Sequence, residues 1–173
     1  MLEHAYYNQS ELCQCIEKIL NDKNLYFYFM FPVKFFALEI DVTDYNSIQF
    51  VSKSTDGKII GFLSASVNHG HDSIDSLNLI NFTGKPNIIF SKDVESFFDE
   101  IFIKRHFRKC TFSAIEQNPA ITLYRKLIKK FDGREVGFLK ENKKLTDGNY
   151  YNEVLFEIFR DGYLKLKRKE CKG

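Results

Sequence analysis

Residues 115–126 read Ile-Glu-Gln-Asn-Pro-Ala-Ile-Thr-Leu-Tyr-Arg-Lys, which puts a carboxylate, a helix-starting amide and a phenol close together. A carboxylate can accept a proton from a reacting group and a phenol can donate one. Tyr124 falls on the apolar stripe Ala120, Tyr124, Leu127, Ile128 and Phe131, so its side chain points inward. That spacing suits a packed core tyrosine with one hydrogen bond as well as a tyrosine presented to a site. Glu116, Asp75 and Glu39, in that order of position, are the carboxylates eligible as bases, and each also reads as a surface acid. His69-Gly70-His71-Asp72 groups two imidazoles with a carboxylate. Zinc needs convergent ligands, usually four, and a turn with no second cluster is a poor site, so no metal is expected. His106, within the basic run Lys104–Lys109, reads as a solvated helix end.

Placing these groups requires strands and helices, and the chain supplies recognisable ones. Ser10 is the expected cap of a first helix through Leu12, Cys15, Ile16, Ile19 and Leu20. Residues 24–45 are too continuously aromatic to give a period. Ser47–Ser54 and Lys58–Val67 flank the turn Thr55-Asp56-Gly57 as a hairpin, and Ser73–Phe82 alternates as a third strand. Ser91 is the expected cap for a helix through Val94, Phe97, Phe98, Ile101 and Phe102. Cys110–Ile115 is a fourth strand, and Asn118-Pro119 opens the helix of Tyr124 with an amide cap and a proline whose missing N–H costs nothing there. Asp132-Gly133 stops that helix, and strands Arg134–Lys140 and Tyr150–Phe159 follow. This order implies an α/β (α+β) fold, a mixed and mainly antiparallel sheet flanked by helices, in one domain over 1–173.

Composition narrows the class further. With 173 residues and a net charge of +2, the chain can bury a sizeable core and carries no charge excess that calls for nucleic acid. No apolar run approaches the roughly 20 residues of a membrane span, and Leu25–Phe31 is too short for one. The cysteines Cys13, Cys15, Cys110 and Cys171 match neither a redox nor a zinc spacing, so a reducing, cytoplasmic compartment is expected. The basic stretch Lys165–Lys172 reads as a solvated, frayed terminus, and nucleic-acid binding through it is a remote third reading of function.

From Ile48 to Phe159 the chain resembles the GNAT superfamily of acetyl-CoA-dependent N-acyltransferases. The resemblance rests on the element order, on Asp56-Gly57-Lys58-Ile59-Ile60-Gly61-Phe62 as the turn into a strand, and on Ile115–Ala120 running into Leu123-Tyr124-Arg125-Lys126. Residues 129–137 and 145–151 are similar to a subgroup found in AT-rich bacterial genomes and their mobile elements. The family's Arg/Gln-x-x-Gly-x-Gly/Ala loop, whose amides hold the cofactor pyrophosphate, is absent: Lys85-Pro86-Asn87-Ile88-Ile89-Phe90-Ser91-Lys92 stands there instead.

The resemblance implies acetyl-CoA as cosubstrate and an amine as acceptor, with no membrane partner and with a homodimer left open. The pantetheine arm would lie between Leu79–Phe82 and Ile115–Asn118, with Ile80, Asn81, Phe82 and Asn118 contacting it. Phe90, Ser91 and Lys92 would receive the pyrophosphate at a helix start, where the amides of Lys92 and Asp93 are free and the Asp93 carboxylate opposes an anion. A backbone N–H near Ile80–Phe82 would stabilise the oxyanion, and Tyr124 would be the general acid for the leaving thiolate. The acceptor would lie among residues 25–36 and Tyr150-Tyr151. The alternative is a non-catalytic protein of the same fold that has lost its cofactor and serves interaction or regulation.

Overall fold

The computed structural model describes residues 1–20, 39–145 and 147–170. The expected aromatic stretch Leu25–Phe36 lies outside them. Seven strands form one sheet in the order β1-β2-β3-β4-β5-β7-β6. They are β1 (Leu2–His4), β2 (Ser47–Lys53), β3 (Ile59–Asn68), β4 (Ser73–Asn81), β5 (Lys109–Ile115), β6 (Arg134–Lys144) and β7 (Tyr150–Phe159). All neighbours pair antiparallel except β4 and β5, which are parallel. The helices are α1 (Gln9–Leu20), α2 (Ile88–Asp99, prolonged by a π-helical turn Glu100–Lys104), α3 (Ala120–Lys130) and α4 (Arg160–Glu170). None of the described helices is long and apolar enough to cross a membrane.

Alternation along the strands separates two faces. On one, Ile74, Leu77 and Leu79 of β4, Cys110, Phe112 and Ala114 of β5, and Val154, Phe156 and Ile158 of β7 meet α2, α3 and Tyr163 in the main core. On the other, Val51, Ile59 and Phe62 meet Leu12, Ile16 and Ile19 of α1, with Ile80 packed against them.

Three expectations change. Ser10 does not cap α1, because a 3-10 turn (Ala5–Asn8) leads straight into that helix and no exposed start exists at Ser10. Ser91 does not cap α2: the helix begins one turn earlier, where the Asn87 side chain accepts from the amides of Ile89 and Phe90. Phe90 explains the shift, since the buried stripe starts there and continues through Val94, Phe97 and Phe98. Residues 165–170 are not frayed but belong to α4, which is anchored by fully buried Tyr163 donating to Asp99 Oδ1 at 2.6 Å and by Lys167.

A candidate active site in the β4–β5 fork

The β4–β5 ladder consists of Ser73↔Lys109 and Ile74↔Cys110 and stops there. At the fork the Thr111 hydroxyl donates to the Ile74 carbonyl at 3.1 Å, taking over the acceptor that the missing ladder leaves. Beyond it the strands diverge around a cleft lined by Leu77, Asn78, Leu79, Ile80, Ser113, Ala114, Asn118, Ala120 and Tyr124. Phe82 N–H bonds Ile60 O at 2.9 Å, so in this antiparallel ladder residues 78, 80 and 82 spend their backbone groups on β3. The backbone groups of Leu77, Leu79 and Asn81 therefore point to the β5 side. The edges that face the cleft can accept an extended ligand as an added strand.

Tyr124 enters this cleft from α3. Its ring is 6% exposed and held edge-on against Phe112 and Phe156, with centroids 5.1 and 5.9 Å away. Among the described residues its hydroxyl has no hydrogen-bond partner, and burial pushes the phenol up to about 12. Asn118 Oδ1 accepts from Ala120 N–H at 2.8 Å with Pro119 already helical, so the Asn-Pro start aims α3 at the fork.

No family model and no curated protein matches the chain. Solved structures do match. The spermidine N-acetyltransferase from Vibrio cholerae in complex with CoA and spermine is similar over 95% of this chain and 97% of that one, with 20% identity and a TM-score of 0.75. A chimera of that enzyme with hSSAT matches over 88% and 92% at 20% identity and a TM-score of 0.66. The spermidine/spermine N-acetyltransferase SpeG from the same organism, with manganese ions, matches over 72% and 71% at 22% identity and a TM-score of 0.61. The fold is that of the GNAT superfamily.

Within the GNAT fold, Tyr124, Asn118 and Ile80 of the expected set line the cleft together. Other expectations fail locally. Ile80 and Phe82 are not the backbone donors facing the cleft, because their amides point to β3; Leu79 and Asn81 take that place. The Asn81 side chain is held in the turn after β4, where it bonds Thr83 and the Lys85 carbonyl. Phe90 turns its ring onto Gly61 in the core, and its amide is taken by Asn87. Ser91 and Lys92 lie inside α2, so the free amides expected at Lys92 and Asp93 are helical. Asp93 is not in the first turn: it is buried, accepts from Ser52 Oγ at 2.7 Å and pairs with the Met1 ammonium at 3.1 Å.

The base candidates do not line the cleft. Glu116 is exposed and accepts from Asn152 at 2.9 Å, and Glu39 is exposed with its carbonyl bonded to Gln49. Asp75 accepts from Asn68, whose amide lowers the carboxyl from its usual range, and from Ser73. His69 stacks on Tyr45 at 4.1 Å and His71 faces Asn68, so the two imidazoles do not converge. His106, at a helix end, meets Arg160. Sequence reasoning missed the acids behind the cleft: Glu153, buried on β7, accepts from Ser113 Oγ at 2.5 Å, and Glu157 pairs with Arg134 and Lys109. The signal was present as two acids four residues apart on one face of an otherwise apolar strand.

Proposed function

We propose that the chain is an acetyl-CoA-dependent N-acetyltransferase acting on an amine. The observation that carries this reading is the β4–β5 fork with the Tyr124 phenol inside it. The cleft suits a pantetheine arm, whose amides would bond the free edges of Leu79, Asn81 and β5. Lys85 and Lys92, both exposed near the α2 start, supply positive charge for the pyrophosphate.

The acetyl thioester supplies an activated carbonyl. Tyr124 stays protonated at any working pH because its pKa lies at about 12. Full proton transfer from that phenol to a thiolate of pKa about 8.5 is uphill by about 5 kcal/mol, so Tyr124 acts first by donating a hydrogen bond to the leaving sulfur. Phe112 and Phe156 hold the ring so that this donation costs no reorganisation. The polyamine enzymes of the same fold make spermidine and spermine the first acceptors to try.

One observation favours a non-catalytic protein of this fold: Asn87 fills, with its own side chain, the amides that a pyrophosphate would take. Calorimetric titration with acetyl-CoA separates the two readings. Micromolar binding by both the protein and Tyr124→Phe, with about 10²-fold lower turnover for the variant, supports the enzyme. No binding at millimolar acetyl-CoA would leave the non-catalytic reading.

A further inference from the structure

We propose that Ser113 and Glu153 form the proton relay that deprotonates the acceptor amine, an inference that rests on the acetyltransferase reading above. The cleft passes between the two faces of the sheet. Tyr124 approaches it on the face of Phe112, Ala114 and Phe156. Ser113 and Asn78 alternate to the opposite face, the one covered by α1. A thioester threaded between the strands therefore has its sulfur donor on one side and a polar wall on the other. The amine must arrive on that second side, and it needs an acceptor for its proton.

Among the described residues no carboxylate lines the cleft directly. The nearest acid in bonding terms is Glu153, which shares a sheet face with Ser113 because Glu153 pairs with Ile115 and Leu155 with Ser113. Its side chain is 5% exposed, and the Ser113 hydroxyl donates to Oε1 at 2.5 Å. From β6, Lys143 Nζ lies 3.6 Å from Oε1 and the Asn142 amide donates to Oε2. Along β7, Glu157 shares the face and is paired with Lys109 and Arg134, and across the cleft the Asn78 amide donates to Ser64 Oγ at 3.2 Å.

The step balances. An ammonium group gives one proton to Ser113 Oγ, whose own proton passes to Glu153 Oε1, leaving a neutral amine and a carboxylic acid. The amine lone pair forms the C–N bond to the thioester carbonyl carbon. The C–S bond breaks with its electron pair on sulfur beside the Tyr124 hydroxyl, and the remaining excess N–H proton leaves to water or sulfur. Ser113 touches the substrate and is a catalytic residue; Glu153 acts through it and is a positioning residue.

The test is a pH profile of kcat/KM with acetyl-CoA and the best acceptor from a panel of polyamines, amino acids and aminoglycoside antibiotics. Glu153→Gln keeps the side-chain shape, Ser113→Ala removes the hydroxyl, and Ser113→Thr restores one. The expected result is a loss of about 10²-fold at pH 7 in the first two variants, closing toward pH 10 as free amine becomes abundant. The KM for acetyl-CoA stays unchanged in Glu153→Gln, and Ser113→Thr recovers most of the activity. Profiles parallel to the wild type at every pH, whether equal in rate or uniformly lowered, overturn the relay and leave the acetyltransferase standing. A wild-type protein that acetylates nothing in the panel overturns both.

Discussion

Gly61→Ala tests the contact that fixes where α2 begins. An added Cβ would collide with Phe90 Cε2 and Cδ2 and would lie 2.9 Å from the Ile80 carbonyl oxygen. The ring would have to move, and the backbone of β4 would still be too close. Phe90 is 4% exposed in the first turn of α2, so it has no empty volume to enter without lifting the helix start. Overpacking of this kind costs about 1–3 kcal/mol, and expelling the ring adds about 1.5–3 kcal/mol of lost burial. We expect a loss of about 3 kcal/mol, which in a chain of this size lowers Tm by about 6–12 °C. Circular dichroism melting reads this directly. Gly70→Ala is the control, since its nearest neighbour is the Asn68 side chain at 3.5 Å, and Tm should stay within about 2 °C. Because Phe90 seats the α2 start, Gly61→Ala should also weaken acetyl-CoA binding. A Gly61→Ala protein melting within 2 °C of wild type would refute the packing argument.

Three further perturbations have defined outcomes. The raised Tyr124 phenol keeps its proton up to about 12, whereas the unfolded chain ionises near 10, so its contribution is complete below pH 10 and declines by up to about 2.7 kcal/mol as pH rises to 12. Urea unfolding between pH 8 and 11 should show that decline flattened in Tyr124→Phe; parallel curves would contradict it. Asn87→Gly should cost only a few tenths of a kcal/mol while freeing the Ile89 and Phe90 amides, so calorimetry should find acetyl-CoA bound about three- to tenfold more tightly. Unchanged or weaker binding would mean that the α2 start is not the anion site. Tyr163→Phe removes the donor to Asp99 Oδ1 and should destabilise by about 1–2 kcal/mol in thermal melts; an unchanged Tm would show that this bond does not secure α4.

Much of the frame was legible because it is local. The β2–β3 hairpin follows from its turn and alternation, β7 spans Tyr150–Phe159 as read, and α3 follows from Asn118-Pro119 and its stripe. What stayed hidden depends on distant partners. β1 is three residues whose strand character exists only against Phe50–Ser52 of β2. α4 looks like a solvated basic tail because little beyond Tyr163 and Leu166 turns inward. β6 extends to Lys144 through register shifts, as an edge strand exposed on both faces needs no apolar alternation. That Tyr124 and Asn118 line the cleft was readable from motif and spacing. The amide directions of β4 were not, because the register against β3 decides which residues face the cleft. Asn87 and Ser91 are equally good caps by type, and only the reach of the buried stripe to Phe90 chooses between them.

The short ladder between β4 and β5 also bears on cooperativity. Two residue pairs, the Arg108 N–H donating to the Asp72 carbonyl beside them and the Thr111 hydroxyl join the β1–β4 half of the sheet to the β5–β7–β6 half. Past that junction, one half can open without breaking hydrogen bonds in the other. A ligand laid between them as an extra strand would splice the two ladders into one. At a hundred times its Kd such a ligand adds about 2.7 kcal/mol to folding. That gain would appear as slowed amide exchange in residues 77–81 and 113–115 together, so the ligand would act as a structural member of the sheet as well as a reactant.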